Sequence, residues 1–116
     1  MKNYHDMTRG LSAAIAELRK GIPETMQGFS AMAAAATKDG DLDAKTKELI
    51  AITIGVTAHC DGCIAFHAKA AARQGSSRGE VLETLSMAIY MGGGPSMIYA
   101  AQTLAAFDQF AGSEAP

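Results

Sequence analysis

Glycine and proline divide this chain into stretches of ordinary helix length, and the sequence between them is rich in alanine. No other feature limits the fold so tightly. Gly21 with Pro23, Gly40, Gly75, Gly92-Gly93-Gly94 with Pro95, and Gly112 are the punctuation marks. From Asp6 to about Lys20, Met7, Leu11, Ala14, Ile15 and Leu18 recur at three-and-four spacing, which is one apolar stripe on a helix. Pro23 suits the first turn of a second helix, where its missing N–H costs nothing, and Met26, Phe29, Met32 and Ala33 are expected on that helix's inner face. A loop, Thr37 to Asp41, follows.

Asp43 is a good N-cap for a third helix, from about Ala44 to Ala58. Its run Leu49-Ile50-Ala51-Ile52-Thr53-Ile54 would also fit a buried strand, since periodicity does not separate the two in a short apolar segment. The helix-forming start Lys45-Thr46-Lys47-Glu48 and the length of the segment favour helix. A fourth helix runs from the Cys60–Cys63 turn to about Gln74 and is stopped by Gly75. Ser77 and Glu80 form a capping box for a fifth, which carries Val81, Leu82, Leu85, Ala88 and Ile89 and is closed by the triple glycine. Pro95 opens a sixth with Met97, Ile98, Ala101, Leu104, Ala105 and Phe107 inward, and Gly112 to Pro116 is expected to be a frayed tail. The prediction is a single all-α domain, a bundle of about six helices.

At 116 residues with 48% hydrophobic but only 6% aromatic content and no Trp, the core must come from close helix contacts. Alanine-faced helices approach tightly yet bury little area each, so a homo-oligomer is expected. The net charge of −2, with both signs interspersed, leaves no footprint for nucleic acid or an anionic membrane. Met1 to Asp6 lacks the apolar core of an export signal, and a cytoplasmic location is expected. In a reducing compartment, Cys60 and Cys63 gain weight as catalytic or metal-binding groups rather than as a structural bridge.

Two thiols separated by two residues can close a disulfide across one turn, and a helix N-terminus at that turn favours the thiolate. Cys63 and His67 are four apart, hence on one helical face, where the imidazole can take the thiol proton. Glu48, in the preceding helix, can orient that imidazole if the two helices return antiparallel.

Glu48, Cys60, Cys63 and His67 together resemble the signature Glu-x11-Cys-x-x-Cys-x3-His of the alkyl hydroperoxidase D group, within the carboxymuconolactone decarboxylase-like superfamily. Lys45-Thr46-Lys47-Glu48-Leu49-Ile50, Phe66-His67-Ala68-Lys69-Ala70-Ala71 and Gly92-Gly93-Gly94-Pro95 extend the similarity over roughly Asp41 to Phe110. The resemblance implies an all-helical subunit, homo-oligomers that are often trimers or hexamers, and peroxidase or disulfide-reductase activity with no metal or organic cofactor. It implies Cys63 as the thiol activated by His67 and Glu48, and Cys60 as its disulfide partner. A small hydroperoxide and a dithiol reductant are the implied reactants. The lactone decarboxylases proper lack the Cys-x-x-Cys pair, which argues against decarboxylation. One departure stands out: well-studied hydroperoxidase members have histidine immediately before the second cysteine, where this chain has Gly62.

The order of attack stays open at this level, because in many Cys-x-x-Cys enzymes the more exposed N-terminal thiol attacks first. Two rival readings also stand. In one, His59, Cys60, Cys63 and His67 hold zinc, although the adjacent His59 and Cys60 do not easily face one ion together and no second ligand pair exists. In the other, the cysteines are redox sensors in a non-enzymatic helical assembly. His5 is expected to be a lone surface residue.

Overall fold

A computed structural model describes residues 1–112 as six α-helices. Of the tail expected at 112–116, Gly112 is corrected to the last residue of α6, and 113–116 lies outside the described residues. The first helix, α1 (Tyr4–Gly21), begins at Tyr4 rather than Asp6, because the Asn3 side chain accepts a hydrogen bond from the Asp6 N–H at 3.0 Å and so caps it. α2 (Pro23–Thr37) starts on its proline, as expected. α3 (Ala44–Thr57) is capped by Asp43, whose Oδ1 accepts from the Thr46 N–H at 2.8 Å. Hydrogen bonds from Thr46 hold the Asp43 carboxyl below its ordinary range. α4 (Asp61–Arg73) leads to Gly75, which takes a positive φ of 83°. α5 (Arg78–Gly92) opens with the complete Ser77–Glu80 capping box, and α6 (Gly94–Gly112) follows after Gly93, at φ 79°. The triple glycine therefore gives one residue to each helix and one to the turn.

Helices α3, α4, α5 and α6 pack on one another as the central bundle, with α1 laid across α4 and α6. The strand alternative for residues 49–54 is resolved as helix. Within α3, Glu48, Ile52 and Val56 form the buried face while Ile50 and Ile54 between them are exposed, which a helix allows and a strand, with all five on one face, does not. The core joins Ile52 and Val56 to Ile64, Ala65, Ala68 and Ala71 of α4, Val81, Leu85 and Ala88 of α5, and Ala100, Ala106 and Phe107 of α6. Each fully buried Ile or Val contributes about 1.5–3 kcal/mol, and the alanines let the helix axes close up around them. Two ion pairs tie the bundle together: Lys45 Nζ to Glu80 Oε2 at 2.9 Å, and Arg78 to both Asp108 oxygens at 2.9 and 3.1 Å. The first holds the Glu80 carboxyl below its ordinary range.

Three expected faces are corrected by this packing. α2 buries no residue: Phe29 is 58% and Met32 60% exposed, because α2 touches only α1 and α3. In α5, Leu82 faces out. In α6, Met97, Ile98 and Ala101 are exposed while Ser96, Ala100, Thr103, Ala106 and Phe107 are buried. Apart from Phe107, small side chains face the bundle, and they permit its close approach. His5 is also corrected, being partly buried with its ring edge-on to Phe110 at 4.6 Å.

Candidate dithiol site

α3 does not run straight into α4. Its last turn closes through Ala58, then His59 takes the left-handed conformation at φ 56°, where glycine is the usual occupant. The His59 ring lies flat on Tyr99 of α6, 4.7 Å between centroids and 6° from parallel, which holds this residue in place. The reversal puts Cys60 at the N-cap of α4, its N–H donating to the Gly55 carbonyl at 3.0 Å.

Cys60 and Cys63 are joined as a disulfide across this first turn, with their Cα atoms 5.2 Å apart. The Cys60 sulfur also accepts the Cys63 N–H at 3.1 Å, so it sits where the free amides and the positive end of the helix dipole would stabilise an anionic sulfur. Cys63 is exposed and Cys60 half-buried. Sequence reasoning left the exposures unranked; in the fold the C-terminal cysteine is the accessible one.

One turn along α4, His67 Nδ1 meets Glu48 Oε1 of α3 at 2.6 Å. The antiparallel return of α3 and α4 brings the carboxylate and imidazole together as the four-residue pattern requires. Glu48, from the polar opening of its helix, is 8% exposed. An ionised carboxylate only accepts, so the proton of a neutral imidazole resides on Nδ1 and Nε2 keeps its lone pair. Cys63 lies on the same helical face as that ring.

Two small residues make the arrangement possible, and sequence reasoning singled out neither for this reason. At Gly55 a β-carbon would meet Cys63 Cβ at 3.2 Å and Ile64 Cγ2 at 3.4 Å, so its bare backbone lets α4 start close against α3. A lone glycine within an otherwise apolar helical run was the available signal. At Gly62 a β-carbon would meet Leu11 Cδ1 at 3.0 Å. The helix α1 therefore covers the position immediately before the second cysteine. His59, turned onto Tyr99, does not join Cys60, Cys63 and His67 in a converging donor set, and among the described residues no group of three or more His, Cys, Asp or Glu is placed to hold a metal ion.

An all-helical chain with a sulfur pair at a helix N-terminus, beside a carboxylate–imidazole pair from two antiparallel helices, defines a class of helical Cys-x-x-Cys proteins. This chain belongs to the carboxymuconolactone decarboxylase family, whose profile matches residues 23–106. An uncharacterized protein of Cupriavidus necator is 38% identical over 88% of this chain and 96% of its own length. A crystal structure of a carboxymuconolactone decarboxylase family protein from Legionella pneumophila superposes with a TM-score of 0.91 at 51% identity, covering 93% of this chain and 96% of the other. A Thermotoga maritima family member, for which a part in the antioxidative response has been suggested, superposes with a TM-score of 0.72 at 27% identity, over 78% of this chain and 93% of its own. No helix among the described residues is long and apolar enough to cross a membrane.

Proposed function

We propose that this protein is a thiol-dependent hydroperoxide reductase and disulfide oxidoreductase, cycling Cys60 and Cys63 between dithiol and disulfide. The observation that carries the reading is the 2.6 Å contact between Glu48 and His67, one helical turn from an exposed Cys63 whose disulfide partner is already in bonding position. The antioxidative role suggested for the Thermotoga maritima relative points the same way.

In the cycle, His67 Nε2 takes the Cys63 thiol proton, and Glu48 balances the imidazolium charge. The thiolate attacks the outer peroxide oxygen, the O–O bond breaks, and the departing alkoxide takes a proton to leave as an alcohol. Cys63 is then a sulfenic acid. The Cys60 sulfur attacks it, water leaves, and the Cys60–Cys63 bond forms. A small external dithiol reduces that bond by two exchange steps and departs as a disulfide. No metal or organic cofactor enters this sequence. Chemistry of this kind fits a cytoplasmic protein. It also fits a homo-oligomer, trimeric or hexameric, whose contacts would cover apolar side chains such as Phe29, Met87, Met91 and Met97, all exposed on the single chain.

The test is hydroperoxide consumption driven by dithiothreitol. Cys63→Ser should abolish turnover with its circular dichroism unchanged; turnover equal to that of the unaltered protein would remove Cys63 from the mechanism. Sedimentation at several concentrations reads the assembly, and a strictly monomeric protein would overturn that part.

A further inference from the structure

Resting on the reading of Cys60 and Cys63 as a cycling couple, we infer that Lys2 is a positioning residue that acts through Asp61 to favour the reduced, thiolate form of the pair. Asp61 lies between the two cysteines, at the first helical position of α4. A carboxylate there competes with a thiolate for the same helix amides and repels it. Asp61 is compensated on one side only. Its Oδ2 receives Lys2 Nζ at 2.6 Å, while its Oδ1 is buried with no hydrogen-bond partner among the described residues.

Ion pairs between half-exposed side chains usually contribute little, because two long side chains must be held in one geometry. Here the backbone does much of the holding. Gln109 of α6 donates from Nε2 to the Lys2 carbonyl at 2.8 Å and accepts the Tyr4 N–H at Oε1 at 2.7 Å, so the main chain on both sides of Asn3, immediately after Lys2, is clamped. Tyr4 is wholly buried, and the His5 ring meets the Gln109 carbonyl at 3.2 Å. This N-terminal strap delivers one ammonium to the residue between the sulfurs. The other titratable groups in that neighbourhood are the phenols of Tyr4 and Tyr99, the His59 ring beside Cys60, and His5 and Asp108 next to Lys2, with Asp108 itself paired to Arg78; His67, further along α4, is paired with Glu48 of α3. Lys2 is thus the cation paired with Asp61 at this end of the helix.

The experiment equilibrates the protein with a glutathione redox buffer at neutral pH and low salt: the disulfide takes two electrons and two protons from two glutathione thiols, leaving two cysteine thiols and one glutathione disulfide. Thiolate absorbance is titrated in parallel. Lys2→Gln should shift the equilibrium about threefold toward the disulfide and move the thiolate midpoint upward, the size expected of one partly solvated charge. Asp61→Asn should shift both the opposite way, Lys2→Arg should restore the unaltered behaviour, and the Lys2→Gln effect should vanish in the Asp61→Asn background. The Lys2→Gln shift should also shrink at high salt. Lys2→Gln matching the unaltered protein at low salt, or keeping its full effect without Asp61, would overturn the inference. Failure of the unaltered disulfide to exchange with glutathione or dithiothreitol would instead overturn the cycling couple itself.

Discussion

Glu48 and His67, nineteen positions apart in sequence, meet at 2.6 Å across the α3–α4 interface, with Glu48 Oε1 accepting the Nδ1 proton. The contact sets the tilt of the ring and, with the carboxylate ionised, its tautomer, so that Nε2 keeps its lone pair. Glu48 is nearly sealed from solvent, so its charge acts on the imidazole with little screening.

Replacement of Glu48 by Gln isolates that charge, because the amide oxygen still accepts from Nδ1. Hydroperoxide turnover should fall about tenfold, and His67→Ala should lower it about a hundredfold or more, in the range typical of a lost proton-transfer group. The pH–rate profile should also move in Glu48→Gln. A profile and rate unchanged from those of the unaltered protein would show that the carboxylate only supports the fold.

Gly55 tests how closely the two helices must approach. Gly55→Ala gains up to about 1 kcal/mol of helix propensity, yet its new methyl group would press on Cys63 Cβ and Ile64. Overpacking of this kind costs about 1–3 kcal/mol, so the variant should be less stable in urea. Gly28→Ala is the control, since nothing lies within 4 Å of its added carbon, and it should be as stable as the unaltered chain or more so. Equal urea midpoints for the two variants would contradict the close approach.

Much of this architecture was legible because the signals are local. Pro23, Asp43, Ser77 with Glu80, and Gly75 act within a few residues of where they stand, and the starts of α2, α3 and α5 and the stop after α4 follow from them. The grouping of Cys60, Cys63 and His67 in the first turns of α4 was legible for a similar reason, since their spacing needs only one helix to be read. What escaped were the faces of α2 and α6. Met97 and Ile98 look like core residues by size, but the first turns of α6 pack through Ser96, Ala100 and Thr103 and turn those two side chains away. Hydrophobicity cannot pick the inner side of a helix that is apolar on both. Tyr4 and Thr8 were missed because the segment reads as polar, although Tyr4, Thr8, Leu11 and Ile15 already stand at helical spacing.

Tyr4 yields a pH prediction. Burial pushes its phenol above the ordinary value of 10.0 in the folded protein, with the Asp61 charge adding to the rise and Lys2 opposing it. The unfolded chain therefore loses this proton at lower pH than the folded one. The stability linked to the proton is fully present below about pH 10 and is lost as pH rises from there through the raised folded value. Tyr4→Phe should flatten that alkaline loss in thermal melts and be close to neutral at pH 7, since the hydroxyl it removes is buried with no hydrogen-bond partner among the described residues. A Tyr4→Phe protein that melts far below the unaltered one at neutral pH would reveal a partner for that hydroxyl.

The clamp between Gln109 and the backbone of residues 2–4 also orders events during synthesis. A ribosome releases both cysteines well before it releases Gln109, so residues 2–4 wait for α6 before they can dock. Until then Asp61, between the two cysteines, is without its Lys2 partner, and the charge arrangement at that end of α4 is completed only when residues 2–4 close on α6.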